Sequence, residues 1–253
     1  MSEPPSPTAG QERLEGRVSV LAALEARQRA IEVILVSRAA KPEKVADVLA
    51  AAAKRGVPTR TVAEEDLGTQ ARSHGGLVAV CAPKPMTAAA ELYRIVDAAR
   101  TAPFVVLLEG ADDARNLGYV LRTAEAFGAA AVLVRRRAWD VDGTAVSRAS
   151  SGAFERLPIV LVERELEEVR QLQKRGLALL GCIPRARTSI YDADLRKPSI
   201  VAIGGEKRGL SGAVRSRCDL LVRIPTRPGP SSLSMAQAAA VAFAEVARQR
   251  AGC

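Results

Sequence analysis

The 253-residue chain has little of several things that would announce a function. It holds a single histidine, His74, and four cysteines at positions 81, 182, 218 and 253. The cysteines are far apart and show no metal-ligand spacing, so a zinc centre is not expected, and free thiols in a reducing cytoplasm are. Aromatic residues make up only 3% of the chain, which argues against extended base-stacking surfaces. No apolar run reaches the ~18 to 20 residues that cross a bilayer. The opening "MSEPPSPTAGQE" is proline-rich and acidic and lacks an apolar core, so it reads as a frayed leader rather than a secretion signal. Neither G-x-G-x-x-G nor a Gly-Lys-Ser/Thr phosphate loop occurs, which disfavours a nicotinamide dehydrogenase.

What the chain does have is apolar bulk and positive charge. It is 48% hydrophobic, enough for a sizeable core, and carries a formal charge of +9 with a pI near 9.9. A basic balance is one footprint of a polyanionic partner such as nucleic acid. The excess is uneven: residues 1–85 carry 12 Lys/Arg against 10 Asp/Glu, and the rest carry 25 against 18.

Strand and helix patterns alternate along two segments. In the first, a helix in "RVSVLAALEARQ" precedes the strand "IEVILVS", the helix "KPEKVADVLAAAAKRG" and the strands "VPTRTV" and "LVAVCAP". This predicts a helix-covered, parallel or mixed sheet. We place a leader over 1–12, a first domain over 13–85, a linker with a helix over 86–102, and a second domain over 103–253. The second domain opens on the all-apolar strand "FVVLLEG" and continues through "AAVLV", "LPIVLV", "LALLGCI", "SIVAIGG" and "LLVRIP", with helices between. That alternation predicts an open, doubly wound α/β sheet.

Three clusters ask for chemistry. In the first, a buried strand ends at Glu109-Gly110 and a helix follows, with Asn116 as its expected N-cap. Gly118 and Arg122 are four residues apart and share a helix face; a glycine there costs about 1 kcal/mol of helix propensity. Taken by itself, this is equally a capped surface helix with a solvated arginine. In the second, "VAIGGEKRGLS", an apolar strand runs into Gly204, Gly205, Glu206 and Gly209. Strand ends of this kind are where open α/β sheets bind ligands, although a plain tight turn has the same composition. The third, "RIPTRPGPSSLSMAQAAAVAFAE", leads from a strand through a Pro-rich loop into an alanine-rich helix suited to close helix packing.

In this order and spacing the clusters resemble the three signature motifs of the SpoU/TrmH family of RNA ribose 2′-O-methyltransferases, in the SPOUT superfamily. N-x-G-x-x-x-R is met by Asn116, Gly118 and Arg122. The glycine–glutamate–glycine loop is met by Gly204, Glu206 and Gly209, and the third motif by Ile224, Pro225, Ser232 and Leu233. "SRASSGAFERLPIV" resembles the family's S-x-G-A stretch. Residues 13–85 more loosely resemble the L30e-like substrate-binding module, with His74 either capping a turn or touching RNA.

The resemblance implies a parallel sheet with a deep trefoil knot, and S-adenosylmethionine as cofactor, held by Gly204, Gly205, Glu206, Gly209, Ile224, Ser232 and Leu233. It implies a homodimer formed through the knotted domain, with no metal and no membrane. The implied catalytic residues are Arg122, Asn116 and Ser234. A guanidinium is a poor base because it stays protonated above pH 12. Arg122 is therefore expected to clamp phosphate and stabilise alkoxide charge rather than abstract a proton. Ser234 stands where the family usually has asparagine. For RNA we expect contacts from Arg115, Arg135, Arg136, Arg137 and Arg148, and from Lys41, Lys44, Lys54 and Arg55 in the first domain. The substrate-binding module favours 23S ribosomal RNA over transfer RNA, including a methylase of the antibiotic-resistance type. A binding or ribosome-assembly protein that kept the fold but lost catalysis is the reading from a different class.

Overall fold

The computed structural model describes residues 10–68, 74–110, 113–136, 141–227 and 233–251. It divides into two compact units, one of residues 1–85 with 142–156 and the other of 86–141 with 157–253.

The first unit is built on a four-stranded mixed sheet. Strand β1 (Glu12–Glu15) precedes helix α1 (Arg17–Ala26), β2 (Ile31–Ser37), α2 (Pro42–Arg55), β3 (Thr59–Val62) and β4 (Leu77–Cys81). The sheet order is β1-β4-β2-β3; β2 and β3 run parallel, and β4 is antiparallel to both its neighbours. The unbroken apolar run of β2 is explained by burial of both sheet faces. Ile34 and Val36 enter one core with Val20, Leu24 and Val48 of the helices, whereas Val33 and Leu35 enter a second with Leu67, Val78 and Val80. β1 begins at Glu12, within the stretch assigned from sequence to the leader.

Helices α5 (Gly143–Ala149) and α6 (Ala153–Arg156), from the middle of the chain, complete this unit. At the turn between them Gly152 has φ +83°, and a Cβ there would lie 2.5 Å from the Cβ of Ala22. The S-x-G-A stretch thus needs glycine so that its backbone can lie against α1. A buried ionic cluster fixes the contact. The Arg29 guanidinium, fully buried, pairs with Glu12 at 2.6 Å and Glu155 at 3.0 Å, and Ser147 Oγ donates to Glu155. Burial pushes the Glu155 carboxyl up and pulls the Lys84 ammonium down to about 8.

The second unit contains α3 (Ala89–Asp97), β5 (Phe104–Glu109), α4 (Ala114–Ala126), β6 (Ala131–Arg135), β7 (Ile159–Val162), α7 (Glu165–Gln173) and β8 (Ala178–Cys182). These are followed by the two-residue β9 (Thr188–Ser189), β10 (Ser199–Gly204), α8 (Gly212–Arg217), β11 (Leu220–Arg223) and α9 (Met235–Arg250). Seven parallel strands stand in the order β7-β6-β5-β10-β8-β11-β9. The open parallel sheet expected of this segment is therefore present. β5 and β10 occupy its middle, which accounts for their near-continuous apolar sequences. From β5 the chain builds outward to β6 and β7, then returns to the other side of β10 for β8. This reversal puts a ligand crevice at the carboxyl ends of the central strands.

Candidate active site

The glycine loop after β10 folds back on itself at those strand ends. Gly205 N–H donates to the Glu109 carbonyl, Gly209 N–H donates to the Gly205 carbonyl at 2.8 Å, and Gly209 adopts φ +60°. A Cβ on Gly204 would meet the Gly209 carbonyl carbon at 2.2 Å, and one on Gly205 would meet the Gly110 carbonyl oxygen at 2.3 Å. Neither neighbour is a side chain that could swing aside. Gly204 is required by the fold-back of its own loop and Gly205 by the close approach of the loop after β5, and their backbone forms one wall of the crevice.

That crevice is a cavity of about 890 Å³, within the size range of small-molecule sites. Gly204, Gly205, Glu206 and Gly209 line it from the second motif, and Ile224 and Leu233 line it from the third. All the described residues that the sequence assigns to the cofactor therefore meet in one cavity. Ser232 lies outside the described residues. The contribution of β8 has no signal in the sequence: Cys182, Ile183 and Pro184 also line the cavity. They do so because β8 pairs directly with β10, a neighbour relation that no local pattern encodes. Burial raises the Cys182 thiol to about 11, leaving it a neutral wall group.

Among the described residues the first motif reaches this cavity through a hydrogen bond from Asn116 to Glu206. Asp113, not Asn116, is the N-cap of α4: its carboxylate accepts from the N–H groups of Asn116 and Arg115, which hold its pKa below the usual range. Both residue types cap helices, so local sequence does not choose between them. Asn116, three residues further on, is freed to donate through Nδ2 to Glu206 Oε1 at 3.0 Å. Arg122 is exposed on the same helix, does not line the cavity, and makes no ion pair among the described residues.

Ser234 is the N-cap of α9. Its Oγ accepts from Gln237 N–H at 3.3 Å while its own N–H donates to Gln237 Oε1 at 2.9 Å, a reciprocal capping box. The hydroxyl is thus committed to the helix start, immediately after the cavity-lining Leu233. His74 caps a loop, its Nδ1 accepting from Gly76 N–H at 3.1 Å with Glu64 3.3 Å from Nε2.

The nine residues expected to bind RNA are placed unequally. Arg115, Lys41, Lys44 and Lys54 are exposed. Arg135 sits 3.2 Å from the buried Glu165, Arg136 pairs with Glu163, and Arg148 pairs with the buried Glu15 at 2.6 Å. Arg55 donates to the carbonyls of Ala23 and Leu24 at the end of α1. Arg137 lies outside the described residues. Among the described residues no helix is long and apolar enough to cross a membrane, and no group of three or more His, Cys, Asp or Glu could hold a metal ion.

An open parallel sheet whose strand ends carry the glycine loop, Ile224 and Leu233 around one cavity, with the N-x-G-x-x-x-R helix tied to it, is the arrangement expected of the S-adenosylmethionine-dependent RNA 2′-O-methyltransferases that the motifs resemble. Comparison with known proteins agrees. Residues 103–244 match the SpoU rRNA methylase family, and residues 13–87 match the RNA 2′-O ribose methyltransferase substrate-binding family. The chain belongs to the SpoU rRNA methylase family. It is 31% identical over 240 residues to 23S rRNA (guanosine-2′-O-)-methyltransferase RlmB of Pseudomonas putida, covering 94% of this chain and 97% of that one. The Xanthomonas campestris pv. campestris protein of the same name is 34% identical over 222 residues, or 87% and 89% of the two chains. Among solved structures, the SpoU methyltransferase AviRb from Streptomyces viridochromogenes in complex with AdoMet superposes with a TM-score of 0.80 at 26% identity, over 97% of this chain and 92% of that one.

The residues present fit the cofactor. Ile203, Ile224, Leu233 and Met235 offer an apolar wall for a purine, and the loop backbone offers polar groups beside it. No phosphate cradle is needed, because S-adenosylmethionine carries none.

Proposed function

We propose that the chain methylates a ribose 2′-hydroxyl of 23S ribosomal RNA, on a guanosine as in the RlmB relatives, working in the cytoplasm as a homodimer whose knotted domains pair. One observation carries the reading: two loops separate in sequence, after β10 and β11, line one cavity, and Asn116 ties the N-x-G-x-x-x-R helix to it through Glu206.

In this mechanism Gly204, Ile224 and Leu233 would hold the adenine and methionine parts of the cofactor through backbone and apolar contacts. When bound, the cofactor supplies an electrophilic methyl group on a sulfonium, with a neutral thioether as leaving group. The protein's tasks are to orient the ribose oxygen and to ease loss of its proton to solvent water as the carbon–oxygen bond forms and the sulfur–methyl bond breaks. Orientation is worth much of the barrier when reacting atoms are held ~3 Å apart in line. Arg122, a permanent cation, grips an adjoining phosphate and stabilises the developing alkoxide. Glu206 and Asn116 keep α4 in register with the cofactor loop. Because Arg122 does not line the cavity of its own chain, we assign it to the cavity of the second subunit, so the site is completed across the dimer. Ser234 positions Leu233 by starting α9 immediately after it.

Comparing ribosomal RNA from cells with and without the gene tests the proposal. One ribose methyl missing from 23S RNA of the deletion strain supports it. A methyl missing only from transfer RNA moves the substrate, and no missing methyl favours a binding or assembly role.

A further inference from the structure

Four arginines line the cavity besides the motif residues: Arg185 after β8, Arg208 in the glycine loop, Arg215 on α8 and Arg227 after β11. All four are exposed, and none makes a side-chain hydrogen bond or ion pair among the described residues. The only carboxylate lining the same cavity among the described residues is Glu206, and its Oε1 accepts from Asn116. The contrast with the other candidates is sharp, since Arg135, Arg136 and Arg148 each neutralise a carboxylate.

Unpaired like charges around a concavity repel one another and focus a positive field into it. The cofactor cannot account for them, because it offers one carboxylate and brings a sulfonium and an ammonium of its own. The surplus calls for a second, polyanionic occupant at the mouth of the cavity. Guanidinium groups meet phosphate oxygens in a bidentate fork and so fix direction as well as charge.

We propose that Arg185, Arg208, Arg215 and Arg227 form a phosphate-gripping rim that seats the RNA backbone on either side of the target nucleotide. This rests on the methyltransferase reading above. The rim draws on the loops after β8, β10 and β11 and on α8. It therefore reads backbone position, not base identity, and aligns the ribose with the cofactor.

The test uses the full-length protein, S-adenosylmethionine and a protein-free 23S RNA transcript, with Kd for RNA measured from 50 to 300 mM salt. Arg185→Gln, Arg208→Gln, Arg215→Gln and Arg227→Gln are each expected to weaken RNA binding about 3- to 10-fold at 0.1 M salt. Each should lower the slope of log K against log salt by ~0.7 to 0.9 per lost phosphate contact, with cofactor Kd within twofold of wild type. Unchanged RNA affinity and slope in all four folded variants would overturn the rim. So would a loss confined to cofactor binding, which would assign the arginines to the methionine carboxylate. Wild-type methyl transfer is measured alongside. If the wild type transfers no methyl, the functional reading fails, while the binding slopes still decide the rim.

Discussion

Asn116 Nδ2 donates to Glu206 Oε1 at 3.0 Å, joining residues 90 positions apart in two different motifs. The bond makes the start of α4 and the glycine loop a single piece, so the helix that carries Arg122 and the loop that walls the cavity proposed for the cofactor share one position. Glu206→Ala removes the acceptor and frees the helix start. A charge-assisted hydrogen bond is worth ~1.5 kcal/mol or more, so kcat/KM should fall about 10-fold or more while the melting temperature shifts little. Glu206→Gln keeps an acceptor oxygen and should retain more activity than Ala. Asn116→Asp sets two carboxylates face to face and should be the worst of the three. Steady-state kinetics on the three variants checks the order.

Gly205 is held by backbone on both sides. Gly205→Ala forces its Cβ against the Gly110 carbonyl at 2.3 Å, and a backbone shift is the only relief. Overpacking of this kind costs ~1 to 3 kcal/mol. Since the shift distorts the cavity wall, cofactor affinity should drop at least 10-fold. Isothermal titration with S-adenosylmethionine measures it, and an unchanged Kd would show that the wall does not touch the cofactor.

Ser234 is explained by the capping box. Ser234→Ala should destabilise the chain by about 1 kcal/mol, read as a lowered denaturation midpoint. Ser234→Asn keeps a good cap, so its stability should stay within ~0.5 kcal/mol of wild type. Its activity then isolates any role of the amide that the family usually has there. Equal turnover means the serine is harmless, and a large gain means that the natural site is weakened.

Lys84 gives a pH signature. Burial holds its ammonium down at about 8, against 10.5 in an unfolded chain. Below pH 8 the group is charged in both states, and the folded chain bears the cost of burying that charge. Between pH 8 and 10.5 the folded chain has released a proton that the unfolded chain still holds, so this group makes stability rise with pH across that window. Lys84→Met should flatten the rise and stabilise the protein at pH 7 by about 1 to 3 kcal/mol. Urea denaturation of both proteins from pH 7 to 10 provides the comparison.

Much of this architecture is legible in the amino-acid sequence. The apolar runs of β2, β5 and β10 announce buried strands, and the three motifs fall at strand ends, where an open parallel sheet binds ligands. The S-x-x-Q spacing of Ser234 and Gln237 even encodes the capping box. β1 is not legible because "ERLE" carries three charges in four residues and becomes a strand only by pairing with β4. Nor is β9, at two residues. The deeper limit is pairing. Arg135 and Arg148, which the sequence offers as RNA contacts, each also pair with a buried carboxylate, Glu165 and Glu15, a partnership that local sequence does not show. Arg185 and Arg227 look unremarkable, and only the adjacency of β8, β10 and β11 brings them to one cavity.

The central claim is tested most directly by transfer of a radiolabelled methyl group from S-adenosylmethionine to 23S RNA, with the modified position mapped, for wild type and Arg122→Ala side by side. The account predicts one ribose 2′-O-methyl in the wild-type product. It predicts a loss of about 100- to 1,000-fold in rate for Arg122→Ala, the scale of removing a group that stabilises developing negative charge, with cofactor Kd unchanged. Methylation of a base, or an Arg122→Ala enzyme as fast as wild type, would contradict it.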